Sequence, residues 1–491
     1  MMGRAHALLY FSASLVPRVT MFLLLLVLTR LLPVDDYGLF TLVVTTGEIL
    51  DAAASNWIRI FILRSEGTRP ASEWRLGRAL VLTAGSCAVS LLAAAGLSLI
   101  QPNLPVQFAI AVLLYVLAFA TLRLGLTLLQ TQQQHVTYAA IEIARGLLTV
   151  IGAASAVVFV GHGFFEASLG ASLMVLGLAV VACGLAMRRL PRPALPPVGY
   201  RAALMFGIPL VAVAVATQVA GLIDRYILNH ALGPASVGLY AAAYALARQP
   251  VDLFSGSLNP YLFPMLVRSY SAGGPRAAGY IQAGSLIALS VLCAAVAVGI
   301  CLLAEPFVEL VLPEPYRVVA ARVMPWIALA TLLSALKNFC FDNVFHISGK
   351  NWRQFATIAP AAVLSAVLGV LLIPEGGPVA AAIIAAGAAA LMLVGSLYLS
   401  CRILPFSVPP GAVAGFGVSL ALASGAAYAV KLMLGAQPPL VILIGATLAF
   451  VVVYAAALTM SGFSLLRFLD RPWEVWQGRP GRRETATPAP P

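Results

Sequence analysis

The chain is a succession of long apolar runs cut by short breaks that carry proline, glycine or charge. About fourteen runs can be read, at roughly residues 8–32, 37–63, 79–100, 106–130, 137–160, 165–187, 202–231, 237–266, 280–304, 318–346, 352–373, 377–400, 411–434 and 437–460. A helix crossing a hydrocarbon layer ~30 Å thick needs about 20 apolar residues. Barrel strands alternate in character and need only about ten residues, so these even, longer runs do not fit them. In lipid the backbone must satisfy its own hydrogen bonds, and helices do so within each span. The pattern therefore predicts an all-α polytopic membrane protein.

Composition agrees, with 61% hydrophobic and 10% charged residues and a mean hydropathy of +0.95. The net charge of +12 would suit a nucleic-acid binder if it covered a soluble face. It is instead sorted by loop. Counting from a cytoplasmic N-terminus, one side of the membrane holds Arg4, the group from Arg64 to Arg78, Arg188 to Arg201, Arg268, Arg276, Lys350, Arg353, Arg402 and the tail arginines. The other side keeps Arg317, Arg322 and Lys431. This positive-inside bias places both termini in the cytoplasm for an even number of spans. The basicity is topological, and no nucleic-acid partner is expected. Cys87, Cys183, Cys293, Cys301, Cys340 and Cys401 fall in or beside spans without CxxC spacing, and read as small buried hydrophobes. The run after Arg4 is long enough to stay as a first span, and no cleavable signal is expected.

An internal echo organises the chain. Leu28–Phe40 reads LTRLLPVDDYGLF, and Leu222–Tyr244 reads LIDRYILNHALGPASVGLYAAAY. At an offset of 200, Leu28 aligns with Leu228, Leu32 with Leu232, Gly38 with Gly238, Leu39 with Leu239 and Phe40 with Tyr240. Internal repeats with ionised residues in the spans are a mark of transporters. The Pro-rich segment 191–201 divides a six-span bundle at 1–190 from a second at 202–402. The two are expected to be pseudo-symmetric. Residues 403–460 then form an extra transmembrane hairpin, and 461–491 a partly disordered cytoplasmic tail with Trp473 and Trp476 suited to the headgroup level.

Loops this short cannot fold as domains, and the chain has no GxxxxGK[ST], HExxH or GxSxG motif. Neither catalytic residues nor a metal or cofactor site are expected, so the chain does not read as an enzyme. The chemistry lies in charges within the spans, each costing roughly 2.5–3.5 kcal/mol near the bilayer centre unless paired or wetted. Arg18, Arg59, Arg248 and Lys337 lie deep and are the candidates for binding an anionic substrate such as a diphosphate. Glu48, Asp51, Asp252 and Asp342 could hold those cations in place or titrate in an ion-coupled cycle. On one helix Glu48 and Arg59 return to within about 20° of each other. Asn338, Asp342 and His346 form an i, i+4 stripe with Lys337 beside it. Glu142–Arg145 and Arg248–Asp252 are spaced for intrahelical pairs. Asp224 and Arg225, near the outer end of their span, read as a gate or structural pair. Arg123 reads as a cation snorkelling to the cytoplasmic headgroups.

LTRLLPVDDYGLFTLV at 28–43, FGIPL at 206–210 and the 222–244 stretch resemble the polysaccharide transporter family. These are the Wzx-type flippases of the multidrug/oligosaccharidyl-lipid/polysaccharide (MOP) exporter superfamily. The resemblance covers roughly residues 8–400, with Pro33-Val34 in place of the family's more usual Gly-Pro. It implies two six-helix bundles working by alternating access in the bacterial inner membrane. It also implies an undecaprenyl-diphosphate-linked oligosaccharide as substrate, for exopolysaccharide, capsule or O-antigen synthesis. A polysaccharide polymerase and chain-length proteins are the implied partners. A lipid II flippase and a drug/cation antiporter share the architecture and stay open as alternatives.

Overall fold

The computed structural model describes residues 16, 19–66, 85, 88, 90, 92–96, 104–188, 200–350 and 352–463. Arg18, the loop arginines Arg69, Arg75 and Arg78, the prolines at 191–197 and the tail with Trp473 and Trp476 lie outside them. The described elements are helices: α1 Val19–Leu31, α2 Val34–Ala54, α3 Asn56–Glu66, α4 Gln107–Thr131, α5 His135–Phe159, α6 Phe164–Met187 and α7 Tyr200–Leu232. There follow α8 Pro234–Val311, α9 Glu314–Leu336, a π-turn at Lys337–Phe341, α10 Asp342–Ile347, α11 Trp352–Cys401, α12 Pro410–Met433 and α13 Pro439–Met460. Among the described residues, eight helical stretches are long and apolar enough to cross a membrane. This is an all-α polytopic membrane fold.

Two of those stretches, α8 with 78 residues and α11 with 50, far exceed one crossing. Each is interrupted where the sequence reads Gly-Gly-Pro. Gly274 (φ 66°) precedes Pro275, and Gly377 (φ 59°) precedes Pro378. Gly233 (φ 82°) precedes Pro234 in the same way between α7 and α8. The physics is one rule used three times. Glycine alone takes positive φ without steric cost and so ends a helix, and proline is preorganised to start the next. The breaks expected near residues 232–236, 267–279 and 374–376 fall at these turns. One expectation is corrected: the run 37–63 is not one helix, because it breaks at Ser55 between α2 and α3.

The chain divides into two compact units, each assembled from three stretches. The first comprises Met1–Gln249, Leu312–Val323 and Ile358–Ala385. Its core is built from fully buried apolar side chains such as Leu42, Phe108, Val112, Leu122, Leu129 and Val175. α6 packs closely on both α4 and α5. The second comprises Pro250–Val311, Met324–Thr357 and Ala386–Pro491. There the α12–α13 hairpin packs Ala423, Phe450, Tyr454 and Leu458 against Val291 and Leu303 of α8. Tyr454 Oη donates to the Val291 carbonyl at 2.7 Å. Of the described cysteines, Cys183, Cys293 and Cys340 are buried as expected, whereas Cys301 is exposed on α8.

Within the first unit the sequence echo becomes a physical pairing. Gly38 on α2 lies against the Pro234 carbonyl, and Gly238 on α8 lies against the Val34 carbonyl. The two contacts exchange under the offset of 200, so an approximate two-fold axis runs between the glycines. Backbones approach this closely only where no Cβ stands between them. Tyr37 and Tyr316 close the same region edge-to-face, with ring centroids 6.0 Å apart.

A methyl group at either glycine meets the opposite carbonyl. Gly38→Ala and Gly238→Ala are therefore each expected to destabilise the purified protein by about 1–3 kcal/mol. Gly177→Ala, inside α6 where nothing lies within 4 Å, serves as the control in the same thermal-unfolding measurement and is expected to hold or slightly raise the midpoint, because alanine favours the helix.

Candidate functional site

The C-terminal half of α2 carries Glu48 and Asp51 and the first turn of α3 carries Arg59, and the break at Ser55 lets Arg59 meet Asp51. Arg59 turns back to grip Asp51 with both terminal nitrogens, Nη1 to Oδ1 at 2.8 Å and Nη2 to Oδ2 at 2.9 Å. Eight residues of continuous helix would separate them by about 12 Å. Ser55 adds its hydroxyl to Asp51 Oδ1 at 2.5 Å, and Asn56 accepts from Arg59 at 3.2 Å. A third partner comes from α4: Arg123 Nη1 donates to Asp51 Oδ2. Asp51 is fully buried and accepts four hydrogen bonds, which saturates a carboxylate.

The other edge of Arg123 serves Glu48, Nη2 to Oε1 at 2.5 Å. Tyr115 Oη donates to the same oxygen at 2.8 Å. Gly47 makes this possible by leaving room for the Tyr115 ring directly against α2. Tyr115 stacks on Phe119, with centroids 4.2 Å apart, and the Arg123 guanidinium sits 5.9 Å from the Phe119 centroid. Arg123 does not snorkel. Two buried or half-buried carboxylates on the next helix hold it more strongly than distant headgroups could. Sequence carried a signal for this, because Glu48, Asp51 and Arg59 sum to one uncompensated negative charge.

A cavity of about 270 Å³ opens beside this cluster, walled mainly by apolar side chains. Glu48, Tyr115 and Arg123 line one side, and Arg145, Thr149 and Ser168 another. Arg145 is held by Glu142 through Nε (3.0 Å) and Nη2 (2.7 Å), the i, i+3 pair that the spacing predicts. Arg59 and Asp51 do not line the cavity. Each of the described arginines in or behind it, Arg59, Arg123 and Arg145, has a carboxylate partner.

A second polar group of the first unit bridges α2, α7 and α8. Tyr240 Oη donates to Asp224, Arg225 Nη1 to Thr45 at 2.5 Å, and the hydroxyls of Thr46 and Tyr226 lie 2.7 Å apart. The Tyr244 ring lies under two guanidinium groups, Arg225 at 4.9 Å and Arg248 at 5.6 Å. Arg248 is exposed and donates to Tyr244 Oη at 2.8 Å. Asp252 is half-buried.

In the second unit, Lys337 and Asp342 form an almost wholly buried pair, Nζ to Oδ2 at 2.6 Å with exposures of 5% and 1%. Asp342 also accepts from Gln354 Nε2 and Ser396 Oγ, both at 3.0 Å. The π-turn explains the pairing. Its i→i+5 backbone bond joins the Asp342 N–H to the Lys337 carbonyl, and the side chains follow the backbone. The α-helical stripe read from Asn338, Asp342 and His346 does not form, since Asn338 and His346 are exposed while Asp342 is buried. Lys337 does not line the cavity beside Arg123. No group of three or more potential metal ligands occurs among the described residues.

Removing one partner strands a charge. Asp342→Ala is expected to destabilise the protein by about 3–5 kcal/mol, and Lys337→Met with Asp342→Leu to recover most of that loss. Thermal unfolding of the three proteins measures the coupling.

A family model described as "Polysaccharide biosynthesis protein" matches residues 27–321, more than half of the chain. Among solved structures, the chain is similar to a lipid II flippase, MurJ, in an inward closed conformation, with a TM-score of 0.69 at 12% identity. That match covers 94% of this chain and 100% of the other. It is also similar to an inward-facing multidrug resistance MATE family transporter of the MOP superfamily, with a TM-score of 0.59 at 14% identity over 80% of this chain and 98% of the other. No curated protein matches in sequence. Both structural relatives are transporters, and neither is an enzyme. The chain thus has the MOP fold, and it belongs to the polysaccharide biosynthesis family that carries that fold.

Proposed function

We propose that the protein is a bacterial inner-membrane flippase, with both termini cytoplasmic. It moves an undecaprenyl-diphosphate-linked oligosaccharide repeat unit between leaflets by ion-coupled alternating access of bundles 1–190 and 202–402. The observation that carries this reading is the cavity that Arg123 and Arg145 both line between apolar walls. Guanidinium groups bind phosphate oxygens through two parallel donors, and the surrounding carboxylates hold them in orientation. A cationic drug would need an open carboxylate, and Glu48 is already engaged by Arg123 and Tyr115.

Arg248 supports the same reading. It lies about 20 Å along α8 from Pro234, near mid-membrane depth, and an exposed cation there requires water rather than lipid. An apolar groove of about 490 Å³ in the second unit, lined by residues such as Phe254, Val296, Phe450 and Tyr454, fits a polyprenyl chain. The family match favours a polysaccharide repeat unit over lipid II as cargo. A polymerase and chain-length proteins would receive the product. The pairing of Glu48 and Asp51 with arginines leaves the ion-coupling role to test alongside that of Asp252 and Asp342.

Arg123→Lys and Arg145→Lys keep the charge and lose the fork. Each is expected to lower polysaccharide export by about tenfold, the equivalent of one charge-assisted hydrogen bond, at unchanged protein level in the membrane. Export at the wild-type rate in both would remove the phosphate reading. Gly299→Trp fills the groove, where a Cβ meets nothing within 4 Å. It is expected to slow flipping of the long-chain substrate while leaving binding of farnesyl diphosphate intact, as read by titration calorimetry.

A further inference from the structure

We infer that Glu48 is a built-in occupant of the phosphate seat, displaced from Arg123 when the substrate's phosphate arrives; this rests on reading the cavity as the phosphate site. The two edges of Arg123 are unlike. Nη1 is fixed to Asp51, which is fully buried and held by three other donors from Arg59 and Ser55. Nη2 is bound to Glu48, which is 33% exposed, lines the cavity and has Tyr115 as its other donor. One edge is an anchor and the other is a position that a second anion can take.

The cavity holds a further sign of a missing ligand. Ser168 Oγ is buried and lines it, and it has no hydrogen-bond partner among the described residues. A buried hydroxyl left unpaired costs stability unless a ligand or water completes it. Arg145 faces the same space, with its position set by Glu142. Arg123, Arg145 and Ser168 therefore surround a volume in which Glu48 supplies a negative charge in the absence of substrate.

Glu48 holds one N–H of Arg123 Nη2, and a phosphate taking the second N–H of that nitrogen would lie against the carboxylate, where like charges in a cavity of low polarity repel. That repulsion drives the Glu48 carboxylate off Arg123 when phosphate binds, while Asp51 keeps the guanidinium in place. The exchange lowers phosphate affinity, which a carrier needs in order to release its cargo. A tight site with no competitor would bind and hold.

The test is binding of farnesyl diphosphate to the purified full-length protein, comparing wild type with Glu48→Gln. The glutamine keeps the size and loses the competing charge. The variant is expected to bind about tenfold more tightly, a difference of about 1.4 kcal/mol, and to export polysaccharide more slowly because release is retarded. Equal or weaker binding by the variant overturns the displacement and leaves the phosphate reading standing. Absence of binding by both proteins removes the phosphate reading itself, and the displacement with it. If Glu48→Gln does not fold, a structure of the wild-type protein with farnesyl diphosphate decides. Phosphate on Arg123 with Glu48 withdrawn supports the inference, and Glu48 still on Arg123 overturns it.

Discussion

An ionised side chain inside hydrocarbon must have its counter-charge within reach, and the polar architecture of this protein follows from that constraint. Asp51 gathers Arg59 and Arg123, Glu142 takes Arg145, and Asp342 takes Lys337. Glu142 and Arg145 pair within a regular helix, but the pairs of Asp51 and Asp342 require a local departure from ideal helix or a close approach between helices. Ser55 breaks the helix so that Arg59 can turn back, Gly47 admits the Tyr115 ring, and a π-turn aligns Lys337 with Asp342. Apolar burial holds the helices together, but the charges dictate where those helices are irregular.

The same constraint has a chemical side. A site built from neutral pairs attracts a diphosphate less strongly than bare cations would, and it is stable in the membrane when empty. Bare arginines facing a cavity would bind better and fold worse. For a carrier that must release its cargo, moderate affinity is compatible with turnover, because binding energy spent equally on the bound and transition states gives no rate.

Much of the fold could be read from the chain, because helix length, charge sorting and Gly-Pro turns are local properties. Gly233-Pro234, Gly274-Pro275 and Gly377-Pro378 mark breaks that the apolar pattern places within a few residues. The 200-residue echo could also be read, though not that Gly38 and Gly238 touch. The site was less legible. Periodicity assigns faces on the assumption of a regular helix, and that assumption fails at Ser55 and at Lys337–Phe341, where the chemistry sits. Helical angle sets Arg59 beside Glu48, but it pairs with Asp51. Arg123 reads as a snorkelling cation because its partners lie on another helix, a non-local fact at which only the charge imbalance of Glu48, Asp51 and Arg59 hints. Arg18 falls outside the described residues.

The π-turn at Lys337–Phe341 also bears on how this segment can vary. An i→i+5 turn is a helix with one residue more than its α-helical form needs, so it behaves as an insertion that the helix absorbed. Loss of a single residue here would cost the helix little, yet would rotate every following side chain and part Lys337 from Asp342. Among descendants of this sequence, length changes in the segment should therefore travel with loss of the lysine or the aspartate, a correlation that substitutions alone would not reveal.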